Sequence, residues 1–192
     1  MSLRARLEDA KRANWPTYVE LYDLALVISL VDQDISAFSE CMVSAPSLWH
    51  RQFHARYLAI LLCDAAERLP GLLGNGLKCV RDLDIGAHWT KDLGAIRSLI
   101  VKFKSDNYES LKQIRNNVGA HRHREALSQI TLMESLDPDQ VHAMAAQLSD
   151  AMLGLIVFYT RLLRCIQNEG FMFMYGIRQV QKKNRIPAIP SE

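Results

Sequence analysis

Apolar residues recur every three or four positions along most of this chain, which is the spacing of one face of an α-helix. The pattern is clearest between Leu21 and Phe38 and again between Leu58 and Leu69. No segment shows the sustained apolar–polar alternation of a half-buried strand. The sequence therefore predicts an all-α fold.

Two stretches of helix-breaking residues divide the first half of this pattern. Ser44-Ala45-Pro46-Ser47 offers hydroxyl caps and a proline suited to a first helical turn, so we expect one helix to stop and a hairpin partner to start there. Pro70 to Gly76 contains three glycines and one proline, which predicts a connector. It lacks the lysine and hydroxyl residue of a phosphate-binding loop and follows no predicted strand.

Further helices are predicted beyond this connector. A short one covers Leu77 to Leu83, and another runs from about Thr90 to Lys104 on apolar spacing alone. Asp106 and Glu109 resemble a capping box, which would start a separate helix. Asp137 followed by a proline is a strong helix start, and the periodicity after it extends to about Leu162.

Composition indicates one folded domain. The 192 residues are 49% hydrophobic and 23% charged with a net charge of +2, so the chain as a whole is not a basic nucleic-acid binder. We assign residues 1–169 to a single helical domain and residues 170–192 to an apolar-then-basic tail that docks on the protein itself or on a partner. The four cysteines are scattered, with no disulfide or zinc pattern. The N-terminus lacks the pattern of a secretion signal and no apolar run is long enough to span a bilayer, so we expect a cytoplasmic protein without a membrane partner.

The segment from Arg115 to His121 carries the most suggestive chemistry. Histidine can exchange protons with a 2′-hydroxyl or a departing 5′-oxygen, and the fork of donors on arginine can stabilise charge on a phosphate. Residues six apart point about 120° from one another on an undistorted helix, so the two side chains meet only if the helix bends. Asn116, Asn117 and Gly119 can end or distort the helix. The nearby cations Lys112, Arg122 and Arg124 form a patch that RNA could bind.

The run Ile114-Arg115-Asn116-Asn117-Val118-Gly119-Ala120-His121-Arg122 resembles the signature of the HEPN domain family, and its form is similar to that of the abortive-infection branch of bacterial HEPN proteins. This resemblance implies a HEPN-like antiparallel helical bundle with additional helices, acting as a metal-independent endoribonuclease and commonly as a homodimer. It gives Arg115 and His121 catalytic roles, with His121 as general acid/base, and gives Asn116 a role in ordering the motif. A defence or toxin-like effector would be paired with an antitoxin or regulatory protein. Some related motifs have a tyrosine where this chain has His123, so the tyrosine-dependent version is not supported.

Simpler interpretations remain open. The same segment could be an ordinary helix C-terminus, where Asn and Gly end the helix and cations favour its negative dipole. The protein would then be a non-catalytic helical scaffold or a module that binds a nucleotide or a partner. His50 and His54 are spaced as zinc ligands can be, but no third ligand is evident, so we expect neither metal nor cofactor.

Overall fold

The fold is described by a computed structural model over residues 2–116, 130–131 and 134–167. These residues contain five α-helices and no strand, which confirms the all-α prediction. The helices are α1 (Leu3–Arg12), α2 (Pro16–Val43), α3 (Leu48–Leu83), α4 (Ala87–Ile114) and α5 (Pro138–Ile166). The proposed tail, residues 170–192, lies outside the described residues.

The first two helices begin at residues suited to that position. The short α1, which the apolar pattern did not predict, is capped by Ser2, whose Oγ accepts a hydrogen bond from the backbone N–H of Ala5 at 3.3 Å. Asn14 adopts a left-handed φ of 54° in the turn that follows. The next helix starts with Pro16 in its first turn, where the missing N–H of proline costs no hydrogen bond.

The predicted hairpin between α2 and α3 is confirmed. The first helix ends at Val43, and Ser47 caps the second by accepting a hydrogen bond from the N–H of His50 at 3.4 Å. Pro46 precedes this cap, so its predicted place in the first helical turn is wrong. The two helices pack along each other and form the most extensive helix pair described.

The predicted connector at Pro70 to Gly76 is wrong, because α3 continues through it to Leu83. The predicted short helix over Leu77 to Leu83 is the end of that same helix. Buried positions at Leu69, Leu73, Gly76 and Val80 keep helical spacing across the segment, so packing compensates for the weak helix formers. The carbonyl of Pro70 also accepts a hydrogen bond from Nε of Arg97 at 3.0 Å, which ties this part of α3 to α4.

The predicted start of a new helix at Asp106 is also wrong, because α4 is continuous from Ala87 to Ile114. Ile100, Phe103 and Leu111 form one buried stripe along it. Asn107, beside the supposed cap, donates from Nδ2 to the carbonyl of Phe103 and to Oε1 of Gln147, both at 3.0 Å. Its side chain thus hydrogen-bonds to a backbone carbonyl of the preceding turn of α4 and does not cap a new helix.

The last described helix, α5, begins as predicted. Oδ1 of Asp137 accepts a hydrogen bond from the N–H of Asp139 at 2.9 Å, and Pro138 takes the first helical position. By length and composition this helix could cross a membrane, although its uninterrupted apolar runs are short. One of its faces is buried in the core, and it packs against α2, α3 and α4. Burial of this face against the other helices accounts for part of its apolar character.

Residues from all five helices form one hydrophobic cluster. Its largest fully buried side chains include Tyr18 of α2, Leu62 and Leu73 of α3, and Phe103 of α4. The cluster fixes the helices against one another and so determines which exposed residues of α3 and α4 come together.

Candidate functional site

Arg115 lies where the regular α-helical structure of α4 ends. The helix stops at Ile114, and Arg115 and Asn116 adopt a π-helical turn, as expected of a helix that ends or distorts near the paired asparagines. Asn116 is exposed. Single π-turns of this kind are rare and frequently occur at functional sites. The start of the motif is therefore a local departure from helical geometry at the edge of the core.

The guanidinium of Arg115 is held against α3 by two carboxylates. Its Nη1 donates to Oε2 of Glu67 at 3.1 Å and to Oδ1 of Asp64 at 3.3 Å. The arginine side chain is only 25% exposed, whereas both carboxylates are about half exposed. The hydrogen bond with Glu67, assisted by that with Asp64, raises the pKa of Arg115, so the arginine stays cationic. The two ion pairs hold its guanidinium against α3.

Lys112, the other described member of the predicted cationic patch, lies one turn before Arg115 on α4. Its Nζ is 5.7 Å from the ring centroid of Tyr108, a cation–π contact. Burial raises the pKa of the Cys63 thiol, and the charges of Arg115 and Lys112 act on that thiol in the opposite direction. The structure thus brings Arg115 and Lys112 to the same side of α3.

Charge compensation limits what this arrangement can do by itself. Arg115 together with Asp64 and Glu67 carries a net charge of −1, and the single charge of Lys112 only neutralises it. An RNA phosphate would need additional cations. The candidates from the sequence are Arg122 and Arg124, which lie outside the described residues, as does His121. The convergence of Arg115 with His121 and the predicted dimeric arrangement stay predictions.

A small cavity of about 170 Å³ lies beside the ion pairs, between α2 and α3. Asp64 lines it together with Asp34, Arg68 and apolar residues such as Leu61 and Val31. The cavity is too small for a nucleotide, because ligand pockets usually measure about 300–1,000 Å³.

The candidate zinc residues make other contacts. Nδ1 of His50 is hydrogen-bonded to Oγ of Ser47 at 2.8 Å, and the ring of His54 stands edge-on to Phe53. Within the described part of the chain, no three His, Cys, Asp or Glu side chains are grouped as metal ligands.

Comparison with known proteins identifies no relative: no protein-family model matches the chain, and no significant match was found among curated proteins or solved structures.

Asp64 and Glu67 are the site residues that the sequence pattern did not reveal. They precede Arg115 by 51 and 48 positions. One signal was present, because carboxylates three apart lie on the same side of a helix and can hold one cation together. That signal says nothing about which cation, and only the packing of α3 against α4 answers this.

Proposed function

We propose that this protein is a metal-independent endoribonuclease of HEPN type, acting as a cytoplasmic homodimer. The observation that supports this best is the anchored Arg115 at the π-turn, since a phosphate-binding arginine is most effective when its position is fixed before the substrate arrives. His121 would transfer protons to and from the ribose oxygens, and Arg115 would stabilise the charge on the phosphate.

Two chains would complete the reaction more readily than one. Transesterification needs a base for the 2′-hydroxyl and an acid for the 5′-oxygen, while each chain contributes a single motif histidine. Pairing across a two-fold axis would bring two histidines and two arginines into one cleft. It would also add Arg122 and Arg124 of the second chain. These cations are needed because the charges around Arg115 cancel one another and leave no net positive charge for a phosphate. An effector of this type would need a regulatory partner or antitoxin.

A second candidate function is a non-catalytic module that binds a protein or a nucleotide. The ion pairs of Arg115 with Asp64 and Glu67 favour it, because they give the arginine a structural role that needs no substrate. In this case the arginine fastens the end of α4 to α3, and the motif is a stabilised helix terminus.

RNA cleavage in EDTA distinguishes the two. For an endoribonuclease, we expect Arg115→Ala and His121→Ala each to lower the cleavage rate by about 100-fold or more, in line with the usual 10²–10⁴-fold contribution of an acid–base group. Arg115→Lys keeps the charge but loses the fork of donors and should restore only part of the rate. The matched control is Arg4→Ala, which removes an exposed arginine that is paired with Glu8 on α1.

The ion pairs supply the second measurement. Asp64→Ala combined with Glu67→Ala removes both acceptors of the Arg115 guanidinium but keeps the arginine. If Arg115 has only a structural role, this variant and Arg115→Ala should lower the thermal midpoint of unfolding by similar amounts. Neither should change RNA cleavage. Cleavage that persists in both Arg115→Ala and His121→Ala would exclude the proposed site.

A further inference from the structure

An aromatic ridge runs along α3 on the side that faces away from the core. We use this name for Trp49, Phe53 and Tyr57 of α3 together with Phe38 of α2. The first three are spaced by four residues, so they lie within about 80° of one another around the helix axis. The buried residues Ala55, Leu58 and Leu62 lie on the opposite side.

The rings of the ridge contact one another in sequence. Trp49 and Phe53 are stacked with centroids 6.0 Å apart, Phe53 and Tyr57 meet edge-on at 5.0 Å, and Tyr57 stacks on Phe38 at 6.0 Å. Nevertheless, Trp49 remains 57% exposed and Tyr57 37% exposed. Phe53 and Phe38 are partly buried, and Phe38 packs against the core. Single exposed apolar residues are ordinary, but two exposed rings that are joined through aromatic neighbours form a patch that suits binding.

The charges around the ridge favour an anionic ligand. No aspartate or glutamate occurs between Glu40 and Asp64 in the sequence, and Arg56 lies beside the ridge on α3. The guanidinium of Arg56 lies 5.4 Å from the ring centroid of Tyr57. Arg51 lies about 160° around α3 from Phe53 and is paired with Asp139 of α5, so it does not belong to this surface. Rings with an arginine beside them suit a ligand that has both π-faces and phosphates.

The ridge also leads to Arg115. By helical geometry Asp64 and Glu67 lie on the same side of α3 as the three rings, and Asp64 follows Tyr57 by seven residues, about 10 Å along the axis. A strand stacked on the ridge would therefore extend directly to the anchored arginine. This continuity favours single-stranded RNA over a protein partner.

We propose that the aromatic ridge binds single-stranded RNA by stacking of its bases and delivers the strand to Arg115. The inference rests on the proposed function, because it names the substrate form and the surface that receives it. Duplex RNA would bind poorly, since its bases are paired and their faces are not available to the rings.

The test measures binding separately from cleavage. It uses the His121→Ala protein and a fluorescently labelled oligouridine of twelve nucleotides, with a duplex of equal length as comparison. Trp49→Ala and Tyr57→Ala should each raise the Kd for the single strand by roughly 5- to 150-fold, the range that loss of one base–aromatic stack produces. Leu99→Ala, which removes an apolar side chain that is 57% exposed on α4, is the matched control and should not change the Kd.

Tryptophan fluorescence gives an independent readout. Oligouridine should quench the emission of Trp49, and the quenching should disappear in Trp49→Phe while Trp15 and Trp89 remain. Trp49→Phe keeps an aromatic ring and should therefore retain much of the affinity, which a merely misfolded variant would not do.

The outcomes separate this inference from the proposed function. Ridge-dependent binding by a protein that cleaves no RNA would support the ridge and contradict the nuclease. Cleavage that needs Arg115 but is unchanged by the ridge substitutions would overturn the ridge alone. If Trp49→Ala instead dissociates an oligomer and leaves RNA affinity unchanged, the ridge is a protein interface and the inference is wrong.

Discussion

Substitution of Gly76 by alanine should destabilise the fold relative to the same substitution at two neighbouring glycines, Gly71 and Gly74, where alanine should be stabilising. A Cβ at position 76 would lie 2.8 Å from Cδ2 of Leu24 and 2.8 Å from Oη of Tyr159. At Gly71 and Gly74 no such atom lies within 4 Å. All three positions belong to α3, so the gain in helix propensity is nearly the same for each and the difference reports the packing.

The magnitudes follow from these contacts. Alanine is favoured over glycine inside a helix by about 0.8–1.0 kcal/mol, so Gly71→Ala and Gly74→Ala should each stabilise the fold by about 0.5–1 kcal/mol. Overpacking a core costs about 1–3 kcal/mol. Both contacting atoms at Gly76 end flexible side chains, but these are buried and have little room to move. Gly76→Ala should therefore be about 1–3 kcal/mol less stable than the two control variants.

Urea unfolding followed by circular dichroism at 222 nm measures these differences. A gap of this size also corresponds to about 2–12 °C in Tm for a chain of this length. The hydroxyl of Tyr159 is buried with no hydrogen-bond partner in the described residues, so Tyr159→Phe relieves the contact at little cost. It should restore part of the stability lost in Gly76→Ala, because the contact with Leu24 remains. If Gly76→Ala stabilises as much as the controls do, the close packing of α3 against α2 and α5 is refuted.

Three further predictions concern a helix cap and a buried thiol. Asp137→Ala removes the acceptor of the Asp139 N–H and should lower the free energy of unfolding by about 1 kcal/mol, whereas Asp137→Asn keeps the acceptor and should cost less. Burial raises the pKa of Cys79 to about 11, so iodoacetamide at pH 8 should modify the exposed Cys41 and Cys165 first, as peptide mass spectrometry would show; equal labelling of Cys79 would contradict its burial. Because that pKa exceeds the unfolded value of 9.0, the stabilising contribution of the neutral thiol is complete below pH 9 and is lost as pH rises toward about 11. The urea midpoint should fall over that interval, and less so in Cys79→Ala.

Local signals predicted helix starts well and helix interruptions badly. Asp137 with its following proline, and Ser47 before α3, acted as caps because a cap is a contact between near neighbours in sequence. Pro70 and Asp106 did not interrupt their helices. Their cost is a few kcal/mol, and burial of the flanking apolar residues against other helices offsets it. That compensation depends on contacts between distant segments, which periodicity alone does not contain.

For the candidate site, too, features set by neighbouring residues were predictable and contacts between distant segments were not. The position of Arg115 at a helix end followed from the asparagines and the glycine beside it, but its partners did not. Nothing in the sequence distinguishes Asp64 from the other carboxylates. Only the packing of α3 against α4 places its Oδ1 3.3 Å from Nη1 of Arg115. The spacing of Trp49, Phe53 and Tyr57 could have been read directly, since three aromatic residues at intervals of four share one side of a helix.

The packing of α3 beside Arg115 places two carboxylates next to the motif, and these limit how a substrate can reach it. Because Arg115 is fastened to Asp64 and Glu67, any substrate that reaches the arginine must also approach two carboxylates, and these repel a phosphate unless nearby cations outweigh them. A strand that arrives along the aromatic ridge, where α3 has Arg56 and no carboxylate, would meet this acidic pair only at its end. Stacking on the rings would then hold the RNA while a single phosphate competes with Asp64 and Glu67 for Arg115. Such competition predicts that binding depends on the ridge and cleavage on the arginine, so substitutions in the two places should separate affinity from rate.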